Sequence, residues 1–87
     1  MKIKDGFILR EVAGSFIVVA VGEAVKTFNG IVNLNETGAF LWKILETGAT
    51  KEELLKRLLE EYDVDEKTAE ADIDGFINKL QEAKLVK

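Results

Sequence analysis

The sequence predicts an α+β fold, a three-stranded antiparallel sheet followed by three α-helices, and three observations carry that prediction. The first third of the chain has β character, centred on the apolar run Phe16-Ile17-Val18-Val19-Ala20-Val21. Apolar residues at helical spacing fill the remainder, in stripes separated by good capping residues. The change falls at Leu34-Asn35, with no linker between the two parts. The 87 residues are therefore expected to form one domain spanning 1–87, since a single core usually organises about 100 to 150 residues.

Phe7 to Ala13 is the first expected strand, and Ala13-Gly14-Ser15 the tight turn into the second, Phe16 to Val21. That second run has no polar position, which points to burial on both faces, or to a central strand whose second face meets a partner. Gly22-Glu23 and Asn29-Gly30 punctuate the next stretch, and Gly30-Ile31-Val32-Asn33-Leu34 reads as a short third strand. Ala24 to Phe28 is ambiguous. Short connections favour a meander with the second strand central, which makes the third an edge.

Asn35 is a good N-cap, and Phe40, Leu41, Ile44 and Leu45 form a helical stripe that Gly48 stops. Thr50 with Glu53 makes a capping box for the second helix, which runs to about Tyr62 with Leu54, Leu55, Leu58 and Leu59 on one side. Asp65 caps a third helix whose stripe is Ala69, Ile73, Phe76, Ile77, Leu80 and Ala83. The apolar Leu85-Val86 is expected to pack back on the domain.

Hydrophobic residues make up 47% and charged residues 32% of the chain, enough for a core beneath a charged surface, so disorder is not expected. The net charge of -4 gives no positive field to attract nucleic acid or an anionic membrane, and suits a basic partner better. Cysteine and histidine are both missing, which removes thiol nucleophiles, the usual zinc sites and the commonest general base. No metal or cofactor is expected. Ser15 and Thr37 have no histidine partner, and Asp72 and Asp74 point about 200° apart on a helix, so neither set reads as catalytic. The seven glycines form no phosphate-binding loop and read as turn and packing residues. No apolar run is long enough for a signal peptide or a membrane span, so a cytoplasmic location is expected.

Two segments carry a family resemblance. Gly30-Ile31-Val32-Asn33-Leu34-Asn35-Glu36-Thr37-Gly38-Ala39 resembles the passage from third strand to first helix in the PqqD family, where Leu-Asn precedes small residues. Thr47-Gly48-Ala49-Thr50-Lys51-Glu52-Glu53-Leu54 is similar to the family's turn and Thr-x-x-Glu-Leu opening of helix two. Glu60-Glu61-Tyr62-Asp63-Val64, the helix through Phe76 and Leu80, and the ending Leu85-Val86 extend the likeness over nearly the whole chain. Thr47 departs from the family's usual Asp, and Lys84 stands where a Gly often precedes the final apolar pair.

The resemblance implies a winged-helix-like domain that binds the leader segment of a ribosomally made precursor peptide and presents it to a maturase, often a radical SAM enzyme. It implies no enzymatic activity of the domain itself, and a leader that adds a strand to strand three against helix three. Ile31, Val32 and Asn33 would then supply the backbone ladder. Ile73 and Phe76, with Ala69 and Ile77, would supply an apolar wall, and Asp72 would meet a basic guest residue.

Each of these residues also has a structural reading. Ile77 and Leu80 fit the core, Phe76 fits core or groove, and Asp72 fits a solvated surface. Trp42 lies off the helix-one stripe, so it either fills a gap beside the sheet or stands partly exposed as a contact for the maturase. Phe16 to Val21 reads as core before it reads as a dimer interface, so the chain is a monomer or a homodimer. The rival function is a winged-helix DNA-binding regulator. Asp65, Glu66, Glu70, Asp72 and Asp74 oppose it, because with only Lys67 among them they would repel phosphates.

Overall fold

A computed structural model describes residues 1–28 and 30–87 of the chain. The strands are β1 (Phe7–Val12), β2 (Ser15–Ala20) and β3 (Val32–Leu34), and the helices α1 (Glu36–Leu45), α2 (Lys51–Glu61) and α3 (Glu66–Glu82). The ambiguous stretch resolves into a single 3₁₀ turn, Gly22–Lys26, between β2 and β3. The punctuation expected at Asn29 lies outside the described residues.

Both strand pairs are antiparallel in the order β1-β2-β3, the expected meander with β2 central and β3 at an edge. Ala13 and Gly14 both take positive φ, 52° and 80°, in the two-residue turn whose twist matches the flanking strands. Gly14 adopts this without strain, whereas Ala13 carries the steric penalty of its Cβ. Strand three is shorter than the sequence suggests. Gly30, at φ 123°, brings the chain in from the turn, and only Val32 to Leu34 fall into register with β2, leaving Ile31 ahead of the strand and 56% exposed.

The apolar run of β2 is covered on one face only. Val18 is fully buried against the helices, while Ile17 and Val19 lie half-buried on the outer face with their cross-strand partners Arg10 and Ile8.

Side chains cap all three helices. Asn35 accepts from the Gly38 N–H at 2.7 Å, and Asp65 from the Thr68 N–H at 2.7 Å. Thr50 and Glu53 form the reciprocal box, with bonds of 3.0 and 3.1 Å. The helices close over the inner face of the sheet, and their shared core includes Leu41, Trp42, Leu45, Leu54, Leu58, Ile73 and Leu80. Trp42 is fully buried, so of its two readings the gap-filling one holds and the exposed maturase contact does not. Helix α1 touches β3, α2 and α3 at once, so its buried face is wider than a single stripe.

The departure at Lys84 is resolved by backbone geometry. Lys84 takes φ 60°, the left-handed conformation a glycine would adopt, and the Leu85 N–H donates to the Leu80 carbonyl at 2.9 Å. With the Lys84 N–H on the Gln81 carbonyl this is the paired closure that ends many helices. Leu85 is thereby turned into the core with no exposure. Its carbonyl accepts from the Lys4 N–H at 2.8 Å, and Ile3 pairs with Val86.

Candidate peptide-binding edge and groove

The direction of each backbone group on β3 is set by the hairpin turn. In a two-residue hairpin the flanking residues, here Val12 and Ser15, form a hydrogen-bonded pair, and bonded and non-bonded pairs then alternate along the ladder. Ser15, Ile17 and Val19 therefore direct their N–H and C=O toward β1, and the Val21 N–H continues the pattern by donating to Gly6 at 2.8 Å. Phe16 and Val18 must point the other way, toward their partners Leu34 and Val32. Asn33, opposite Ile17, is left with its N–H and C=O facing away from the sheet. An independent contact agrees: the Lys79 ammonium of α3 donates to the Asn33 carbonyl from that open side.

Between this edge and α3 lies a groove of about 560 Å³. Asn33, Leu34, Asn35, Thr37, Gly38 and Leu41 line one side, and Ala71, Asp72, Gly75, Phe76 and Lys79 the other. The contributions from α3 recur at helical spacing, so they form one face of that helix. A smaller hollow at Gly14, Ser15, Phe16 and Glu36 adjoins it at Asn33.

The expected site residues separate into three groups. Asn33, Asp72 and Phe76 line the groove, with Phe76 only 6% exposed and also part of the core. Ile31 is exposed just ahead of the edge, whereas the Val32 side chain is buried and its backbone faces β2. Ala69, Ile73 and Ile77 are buried in the core cluster and stand behind the groove, because the stripe containing them faces the sheet and the other helices. The apolar wall exposed to the groove is accordingly smaller than the sequence suggests.

Of the groove residues outside the expected site, Gly75 and Lys79 bear most on its chemistry. Gly75, read as a turn or packing residue, is neither: it lies mid-helix, and a Cβ built on it would meet no atom within 4 Å. Glycine in a helix interior costs about 0.5–1 kcal/mol relative to alanine, and that misplaced cost was the available signal. Lys79 gave no comparable signal, since its contact to Asn33 spans 46 residues of sequence. Gly38 is tight by contrast, as a Cβ there would come within 3.3 Å of the Leu34 side chain and hold α1 off β3.

Electrostatics near the site are modest. Asp74 points away from the groove and pairs with Lys51 of α2, which raises the Lys51 pKa through that hydrogen bond and the charge. Backbone donation from Thr50 and hydrogen bonding by Thr68 hold the capping carboxyls of Glu53 and Asp65 below their ordinary range. Burial raises the Tyr62 phenol, whose ring packs edge-on against Phe40. Among the described residues no group of carboxylates is arranged to hold a metal ion, and no helix is long and apolar enough to cross a membrane.

Residues 8–86 match the family described as coenzyme PQQ synthesis protein D, PqqD. Among solved structures, TbiB1 in complex with the TbiA(beta) leader peptide is 25% identical, with a TM-score of 0.77 over 100% of this chain and 95% of that one. A lasso peptide synthetase B1 complexed with the leader peptide is 20% identical, with a TM-score of 0.74 over 99% of this chain and 95% of that one. This second likeness speaks to the fold. No curated protein matches the chain.

Proposed function

Because the chain belongs to the PqqD family, we propose that it is a non-catalytic adaptor that binds the leader segment of a ribosomally made precursor peptide and presents it to a modifying enzyme. Residues 1–87 act as one peptide-recognition domain in this reading, in the cytoplasm where such precursors are made, and the enzyme served is a radical SAM maturase.

The observation that carries the proposal is the edge at Asn33, which pairs with no further strand among the described residues and whose outward N–H and C=O face a groove walled by α3. An extended guest donates to and accepts from Asn33 as a fourth strand, and Ile31, one alternation away, continues the ladder. Backbone pairing of this kind is largely independent of guest sequence. Selectivity falls to side chains that alternate toward the groove, where Phe76 offers apolar surface, Gly75 room, and Asp72 a carboxylate for a basic residue. Val32 holds β3 to β2, and Ala69, Ile73 and Ile77 fix the helix that forms the wall. The likeness to TbiB1, solved with a leader peptide, supports the same use of the fold. The DNA-binding reading gains nothing from the structure, since the exposed side of α3 carries Glu70, Asp72 and Asp74.

Titration calorimetry tests the proposal, with a synthetic peptide matching the leader of a short reading frame encoded beside this gene. Saturable one-to-one binding that competes with no nucleic acid is expected. A flat titration, together with a sequence-selective gel shift at low salt, would overturn the adaptor reading in favour of the DNA-binding one.

A further inference from the structure

Lys79 occupies the place where a guest strand has to lie. A fourth strand would run about 4.8 Å from β3, between that strand and α3, and its own N–H would donate to the Asn33 carbonyl that the Lys79 ammonium now holds. The lysine must swing aside as the guest docks, and it then needs another acceptor. Within α3 the carboxylate at helical spacing is Glu82, exposed like Lys79, and a guest carboxylate beside Asn33 competes with it. Neither of the two ion pairs among the described residues includes Lys79, and the nearest acidic residue of the adjoining hollow, Glu36, makes no ion pair with it.

Resting on the peptide-binding reading above, we infer that Lys79 is a specificity-determining latch: it covers the edge in the free protein and selects guests that carry a carboxylate beside Asn33. Asp72 gives the groove its second charge. It lies seven residues earlier on the same face of α3, about 10.5 Å along the axis, which is close to three residues of extended chain. The preferred guest is thus an apolar extended segment with an acidic residue at Lys79 and a basic one two to four positions away at Asp72. Both groups are exposed, so the acidic contact is worth up to about fivefold in affinity, as for other solvated ion pairs. The latch also removes the outermost acceptor of β3 from pairing with a second copy of the chain, a common use of lysine on sheet edges.

The experiment is a selection from a random-peptide display library against the full chain, run in parallel with Lys79→Glu and Lys79→Gln. The native chain should enrich Asp or Glu at one position of an apolar alternating consensus. Lys79→Glu should replace that residue by Lys or Arg, and Lys79→Gln should retain the apolar pattern without a charge preference. Melting curves will show whether the variants fold; if Lys79→Glu does not, the Lys79→Gln selection decides alone. An unchanged carboxylate preference without the lysine would overturn the latch and leave peptide binding intact. Enrichment of no peptide by the native chain would overturn both.

Discussion

One face of α3 carries Ala69, Ile73, Phe76, Ile77 and Leu80 into the core, and the adjacent face presents Ala71, Asp72, Gly75 and Lys79 to an open groove. The first is made of residues that fill volume, and the second of residues that leave volume or bring charge. At Gly75 the helix carries a glycine over empty space, where alanine would be more stable. On the peptide-binding proposal, stability and recognition fall to different faces of one helix, divided by rotation about its axis. Phe76 stands on the boundary, in the core cluster and on the groove wall at once.

That boundary can be broken. Phe76→Ala should cost about 3–5 kcal/mol, the usual range for a buried aromatic ring, and calorimetry on the folded fraction should also show weaker guest binding. Unchanged affinity would place Phe76 wholly on the core side and leave the groove with polar walls only.

Paired proline substitutions test the opposite wall of the groove. Asn33→Pro removes the outward N–H and should lower affinity roughly tenfold, at the upper end of what one backbone hydrogen bond contributes, with little change in melting temperature. Val32→Pro removes a donor directed at β2 and should destabilise the sheet instead. The reverse outcome would invert the alternation derived from the hairpin.

Gly75→Ala sharpens the comparison further. The new methyl meets no neighbour, so the helix should gain about 0.5–1 kcal/mol, while guest affinity falls a few-fold. A melting curve that rises without any loss of binding would remove Gly75 from the site. The smallest effect is expected beyond the groove: Lys84→Gly relieves the left-handed strain at the end of α3 and should add about 0.5–1 kcal/mol, less than the full penalty because glycine loses more chain entropy, with affinity unchanged.

Local chemistry made much of this fold legible in the sequence. Asn35, Thr50 with Glu53, and Asp65 each act within three residues, so the helix starts could be read from spacing alone. The edge position of β3 was implied by connection lengths, but its extent was not, since pairing with β2 begins only at Val32 although β2 runs on past Val18. Trp42 was left with two readings because three elements converge on α1, and a stripe drawn on one helix cannot show how many neighbours surround it. The groove was half legible for the same reason. Asn33, Asp72 and Phe76 were within reach of pattern, whereas Lys79 and the open space at Gly75 exist only once α3 is laid beside β3.

The pairing of Ile3 with Val86 has a consequence of another kind. The backbone N–H of Lys87 donates to the Lys2 carbonyl at 2.9 Å and that of Lys4 to the Leu85 carbonyl at 2.8 Å, so the two ends of the chain leave the fold side by side. Adjacent ends make a cassette: such a unit can be spliced into a surface loop of a larger protein without stretching the host, or closed into a ring and reopened at the Ala13-Gly14 turn. In either arrangement β3 and α3 would keep their places, because the seam where the ends meet takes no part in the groove.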